Sequence, residues 1–256
     1  MIAKLTSPRI LIFIPTYNGS KTLPWVLDRI SPQMHKRITE ILVVDNCSPD
    51  NAYLTALGYA TKHGLENLRV IRNETNLGYG GSQKKAYQYA VDNGYDIVVM
   101  LHGDGQYPVE QIPELIEPIE KGKADLVFGS RIIGDSIKNM PRWRYAGNRF
   151  LTMLENYWLG MNISEFHSGF RAYRVAALKK VKFQLCSSNY HFDTEILIQF
   201  CNKRLRIAEI AIPTHYGKES ASPPFSTMVK YTFGILNALR RYSLHKKGIK
   251  KLPMYE

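Results

Sequence analysis

The sequence predicts an α/β fold, a mostly parallel sheet with helices on both faces. Three observations carry that expectation. Short, almost continuously apolar runs alternate with stretches whose apolar residues recur at helical spacing. The runs lack the in-and-out alternation of a half-exposed sheet, so both of their faces must be covered. Each run also ends in a polar, glycine-rich segment, and parallel sheets bind ligands beyond the carboxyl ends of their strands.

The first unit is the run at 9–14 (RILIFI), stopped by Pro15, then a turn-forming loop and a helix through Leu23, Val26, Leu27 and Ile30. The second is the run at 41–44, a loop at 45–50 in which Ser48 or Asp50 suits capping, and a helix through Tyr53, Leu54 and Leu57. The third run, 68–71, leads through a glycine-rich loop into a helix carrying Ala86, Tyr87, Tyr89, Ala90 and Val91. The fourth, 97–101, precedes a helix through Ile112, Leu115, Ile116 and Ile119, and the fifth, 125–128, ends in Gly129, Ser130 and Arg131. Residues 1–131 therefore read as a nucleotide-binding half. A second half at 132–222 starts with a helix at about 145–159, and residues 223–256 form an amphipathic helix with a basic tail. With no linker or low-complexity tract, all three parts are expected to pack as one domain.

At 256 residues and 45% apolar content the chain can bury a sizeable core, which excludes a disordered tail protein. Its 34 Lys and Arg against 22 Asp and Glu give a formal charge of +12, favouring nucleotides, phosphates or anionic membranes as partners. Seven of the cations and no carboxylate lie between Ser220 and Tyr255. Three widely spaced cysteines, Cys47, Cys186 and Cys201, suggest neither zinc nor a disulfide framework and fit a reducing compartment. The apolar stretch at 10–14 is too short for a secretion signal, and nowhere do 18 apolar residues run consecutively. The expected location is cytoplasmic, peripherally associated with the inner face of a membrane.

In order along the chain stand PTYN (15–18), VVDNCSPD (43–50), NLGYGG (76–81), GDGQYP (103–108), GSR (129–131), SGFRAYR (168–174) and DTE (193–195). Each is weak alone; in this order the chain resembles family 2 glycosyltransferases of the GT-A fold. The subgroup it resembles holds dolichyl-phosphate mannosyltransferase and related polyprenyl-phosphate glycosyltransferases. The resemblance implies an inverting transfer of sugar from a UDP- or GDP-linked donor to a lipid phosphate, with Mg²⁺ or Mn²⁺ as cofactor. It places the donor against Pro15, Thr16, Tyr17, Asn18, Asp45, Asn46, Asn76, Gly78, Gly103 and Asp104. Gly19 stands where the family has Glu, and Asn46 where it has a second Asp.

His102, Asp104 and Gln106 alternate, so in an extended segment all three would face one side. The resemblance makes Asp104 and Gln106 metal ligands, with His102 in place of a first Asp. Arg131 with one of Arg142 or Arg144 suits an acceptor phosphate, because guanidinium matches it bidentately. Arg149 reads as solvated. His167 and Arg171 are further acceptor candidates, although Arg171 could equally pair with Glu165 or Asp193. If the acceptor is a hydroxyl, Asp193 is the candidate base. The competing functions are transfer to a glycan or small-molecule hydroxyl and a non-catalytic sugar-nucleotide binder. Nucleic acid is not expected as a partner, since no module signature is present. The basic tail suggests contact with an anionic membrane or a membrane partner subunit.

Overall fold

The computed structural model describes residues 7–133, 141–213 and 225–256. Residues 1–6, Asp135 and the boundary expected at residue 222 lie outside the described residues. The strands are β1 (Ile10–Thr16), β2 (Glu40–Asp45), β3 (Leu68–Arg72), β4 (Ile97–Met100), β5 (Leu126–Ser130), β6 (Arg171–Arg174) and β7 (Ile207–Ala211). They form one seven-stranded sheet in the order β3-β2-β1-β4-β6-β5-β7. All neighbours pair in parallel except β6, which runs antiparallel to β4 and β5. The expected mostly parallel sheet is what forms, with β7 as an edge strand that the sequence reading did not include.

Because strand side chains alternate, the apolar runs feed two cores. Ile10, Ile12, Ile14, Val43 and Val99 pack on one face against α1 (Leu23–Asp28), α2 (Pro32–Arg37), α3 (Ala52–His63) and α5 (Ile112–Glu120). Leu11, Phe13, Val44, Met100 and Phe128 pack on the other, against α4 (Gly78–Asp92), α6 (Arg142–Leu159), α7 (Val175–Leu178), α8 (Phe192–Asn202) and α9 (Phe225–Lys246). Each such side chain, fully buried, contributes roughly 1.5–3 kcal/mol, so the two-sided runs account for the architecture.

Four local expectations are corrected. Pro15 does not stop β1, which continues to Thr16. The Phe13 carbonyl accepts from Leu101 and the Thr16 carbonyl from Asn46, so Pro15 turns its nitrogen to the β4 side, past the last β4 residue, where no donor is needed. In α3 the small Ala52 and Ala56 face inward while Leu54 and Leu57 are exposed, because close packing on α1 and the sheet selects size over apolarity. The helix expected at 145–159 begins earlier, at Arg142. The basic tail expected after the helix is solvated only as far as residue 251. After α9, Leu252, Met254 and Tyr255 are buried, and the Tyr255 carbonyl accepts from Asn202. Removing everything after Tyr242 would therefore open the core. Among the described residues no helix is long and apolar enough to cross a membrane.

Candidate active site

Chain order runs outward from β1 to β2 and β3, then returns to β4 on the other side of β1. A parallel sheet opens a crevice at such a reversal, between the carboxyl ends of β1 and β4. Here the two loops are pinned together: the Thr22 hydroxyl donates to the Gly103 carbonyl at 2.6 Å. A Cβ on Gly103 would lie 2.9 Å from Thr16 Oγ1, so only glycine allows this approach. Tyr17, 54% exposed, stands above the crevice, and Asn18, at a positive φ of 54°, donates its N–H to Ser48. Gly19 is explained by crowding, since a Cβ there would come within 2.7 Å of Thr16 Cγ2.

Asp45 sits opposite Thr16 in the β1–β2 register and is fully buried. Its Oδ2 accepts from the Ser48 N–H and faces Arg72 Nε at 3.4 Å. Burial pushes its carboxyl up, against the opposing pull of Ser48 and Arg72. Asp45 Oδ1 and Thr16 Oγ1 have no hydrogen-bond partner among the described residues. Each is a buried polar atom left unmatched at the end of its strand, which is costly unless something beyond the described side chains satisfies it.

Several donor-site expectations are corrected. Asn46 does not face the cleft. Its amide nitrogen donates to Asn76 and Gly78, and its oxygen accepts from Asn73 and Leu77, so both ends tie down the loop before α4. Asn76 is used in the same clip. Gly78, expected against the donor, instead lies with Gly80 and Gly81 against the backbone at Ser188. The N–H groups of Gly80 and Gly81 point at the Ser188 carbonyl, and a Cβ on Gly78 would lie 2.5 Å from it. These glycines admit protein backbone.

The segment 102–106 is a turn, not an extended run, with Gly105 at φ +72° under the Trp25 ring. The period-two argument for one shared face of His102, Asp104 and Gln106 therefore does not apply. The His102 ring lines a cavity, while Asp104 Oδ1 accepts from the Gln106 N–H outside it. Among the described residues no three His, Cys, Asp or Glu side chains are grouped to hold a metal. One strand-end carboxylate with a neighbouring amide fits a cation that arrives on a diphosphate, since Mg²⁺ commonly takes one or two carboxylates plus substrate phosphates.

The cavity, about 180 Å³, is lined by Tyr79, His102, Tyr107, His167, Tyr190 and Asp193, with Thr227, Met228 and Tyr231 from α9. The Tyr79 hydroxyl donates to Asp193 at 2.9 Å, Gln83 donates to its other oxygen, and Arg171 Nη1 lies 3.6 Å away. Burial, then the Asp193 charge, pushes the Tyr79 phenol far up, so it remains a donor. Burial also pulls His102 down, against the pull of Asp104 and Asp193, and leaves a neutral ring at pH 7. His167 meets the Tyr231 hydroxyl at 2.7 Å and approaches the buried Glu155 at 3.2 Å without a hydrogen bond.

The arginines divide. Arg171 is fully buried, its fork donating to the carbonyls of Ser168, Phe166 and Asp193, so it cannot reach an acceptor and instead shapes the cavity wall. Arg131 donates from Nε and Nη2 to one oxygen of buried Glu165, whose other oxygen accepts the Arg131 backbone N–H, and it donates also to the His167 carbonyl. That contact occupies the edge expected to take phosphate. Arg142 is exposed in the first turn of α6, and Arg144 lies over the Trp143 ring. Sequence reasoning missed Tyr79, Gln83, Tyr107, Glu155 and Tyr231, and it offered Glu165 as a partner of Arg171 where the structure pairs it with Arg131. The NLGYGG motif contains Tyr79, but its partner Asp193 is 114 residues away.

The model of glycosyl transferase family 2 matches residues 11–182. An undecaprenyl-phosphate mannosyltransferase of Micrococcus luteus is 31% identical over 212 residues, 80% of this chain and 82% of that protein. A UDP-N-acetylglucosamine–dolichyl-phosphate N-acetylglucosaminyltransferase of Methanococcus voltae is 30% identical over 87% of this chain and 92% of its own. Among solved structures, glucosyl-3-phosphoglycerate synthase from Mycobacterium tuberculosis, with Mn²⁺, UDP and phosphoglyceric acid, superposes with a TM-score of 0.69. It is 19% identical, covers 92% of this chain and 78% of that one, and shows the same fold.

Proposed function

The chain belongs to glycosyl transferase family 2, and from that premise we propose that it moves a sugar, with inversion, from a nucleoside-diphosphate sugar to a polyprenyl phosphate. The observation that carries the reading is the crevice at the strand reversal, where Tyr17, Asp45 and Asp104 come to adjacent strand ends. The base stacks on the exposed Tyr17, above the strand ends that carry Asp45 and Thr16. Selection of uracil or guanine does not run through Asn46, whose amide is fully engaged by the 73–78 loop.

Asp104, with Gln106 beside it, would hold Mg²⁺ or Mn²⁺, which when bound stabilises charge on the departing diphosphate. An acceptor phosphate oxygen bonds to the anomeric carbon from the face opposite the diphosphate, whose C–O bond breaks. A phosphate monoester is already ionised near neutral pH, so no side chain has to take its proton. Asp193 then acts by position: it neutralises Arg171 and orients Tyr79 in the cavity wall. Arg142 and Arg144, on the first turn of α6, are the groups for the lipid phosphate, and Arg131 holds Glu165 and the His167 carbonyl in place. The place of Asp193 in the cavity favours, as a second reading, a hydroxyl acceptor for which it would be the base.

Donor turnover across a panel of UDP- and GDP-sugars, with polyprenyl phosphate or a glycan as acceptor, tests both readings. Asp104→Ala should lower metal-dependent turnover about a hundredfold or more with an unchanged unfolding midpoint, since the Lewis acid contributes several kcal/mol and a turn carboxylate packs little. Near-normal turnover in that variant would remove the ligand role. Transfer to glycans but not to lipid phosphate would replace the first reading by the second.

A further inference from the structure

Helix α6 is mounted inside out. Its inward face carries Asn148, Thr152 and Glu155, and its outward face carries Trp143, Phe150, Met153 and Tyr157. At the helical repeat these four apolar residues form one stripe, with Phe150 56% and Tyr157 86% exposed. Helix α9 lies alongside, joined where the Trp158 indole donates to the Ser243 hydroxyl. It also exposes Val229, Phe233 and Leu236, with Phe233 at 68%.

The charge on the two helices is one-sided. Residues 141–159 and 225–251 contain a single carboxylate, Glu155, and it is buried. The exposed charged side chains there are cations, among them Arg142, Arg149, Lys230, Arg240 and Lys247. Exposed tryptophan and tyrosine beside lysine and arginine match the water–lipid boundary, where amphipathic rings lie at headgroup depth and cations meet anionic lipid.

We propose that this two-helix face docks on the interfacial region of an anionic bilayer. The basic segment 246–251 adds charge at its end, while the apolar stripe of α6 supplies the insertion. Helix α9 also contributes Thr227, Met228 and Tyr231 to the cavity, so docking sets the cavity close to the lipid surface. That use of the surface rests on the lipid-phosphate reading above; the docking itself does not.

The full chain should sediment with vesicles of about one-third phosphatidylglycerol at low salt, release as salt rises, and bind phosphatidylcholine vesicles at least about tenfold more weakly. The triple variant Phe150→Ser, Tyr157→Ser, Phe233→Ser changes exposed positions only. It should lose vesicle binding about tenfold or more while keeping its circular dichroism and its transfer to a short-chain, water-soluble polyprenyl phosphate. A charge variant, Lys247→Glu with Lys250→Glu, should weaken binding to anionic vesicles alone. The proposal is overturned if the full chain ignores anionic vesicles, binds neutral ones equally, or binds unchanged in the triple variant. It is equally overturned if the chain is retained only by membranes containing a protein partner. Vesicle binding without transfer to any lipid phosphate would keep the docking face and remove the acceptor reading; short-chain transfer without vesicle binding would do the reverse.

Discussion

Helices α5 and α6 both have an apolar and a polar face, and they present opposite faces to the protein. Helix α5 turns Ile112, Leu115, Ile116 and Ile119 into the core and its charges outward. Helix α6 turns Thr152, Glu155 and, in its last turn, Leu159 inward and leaves Trp143, Phe150, Met153 and Tyr157 outside. Amphipathicity defines two faces of a helix, and the surroundings decide which one is buried. Helix α5 is held by apolar area. Helix α6 is held through named polar contacts: Asn148 to Glu165, Glu155 accepting from Thr194, and Asn156 donating to the Ile163 carbonyl. A helix attached by area should respond to lost volume, whereas one attached by hydrogen bonds should respond to lost partners.

The largest effect expected is at Glu165, which receives Arg131 and Asn148 together. Glu165→Ala should cost roughly 4 kcal/mol in chemical denaturation, because it leaves the largely buried Arg131 uncompensated. A loss below about 1 kcal/mol would show that area holds α6 after all. Burial alone would raise the Glu165 carboxyl, but the charge and hydrogen bonds of Arg131 outweigh it and keep it below its ordinary value of 4.5. A depressed carboxylate adds stability above the ordinary value and loses it as pH falls through its own lower one. Asp125, lowered chiefly by its hydrogen bond from Arg206, works in the same sense. The unfolding midpoint should thus fall steeply in acid, and less steeply in Glu165→Gln. Equal slopes in the two proteins would remove Glu165 from the account.

Next in size is the matching change in α5. Leu115→Ala should cost roughly 3 kcal/mol by cavity formation, with no change in the acid slope. If it instead flattened that slope, the two modes of attachment would not be separable.

The sequence carried the five leading strands and the lining of both sheet faces because a run such as 97–101 has no polar residue to mislead. It could not say which face of α6 is buried, since Asn148 and Glu155 look solvent-facing until their partners are known. Nor could it place Asn46 and Asn76, two amides 30 residues apart that hydrogen-bond to each other. The alternation of His102, Asp104 and Gln106 misled for a related reason: period-two reasoning holds in extended chain, and Gly105 turns the segment. Motif order thus located the site, while side-chain roles depended on long-range pairs such as Tyr79 with Asp193.

The smallest effect, and the one that tests the comparison most directly, is expected on the outward face of α6. Phe150 is as apolar as any residue in α5 and is more than half exposed. Were α6 held like α5, removing this ring would cost several kcal/mol. Held through its polar inner face, it should lose almost nothing: Phe150→Ser should change stability by no more than about 0.5 kcal/mol, the usual range for a surface substitution. Exchanging an exposed aromatic for a hydroxyl also removes a driving force for self-association, so solubility should rise. Denaturation with and without anionic vesicles separates the contributions. In buffer the variant and the parent should unfold together. With vesicles the parent should gain more stability than the variant, because a folded chain is stabilised in proportion to how well it binds lipid. A loss of 2 kcal/mol or more in buffer would mean that the stripe packs against protein, leaving α6 an ordinary core helix.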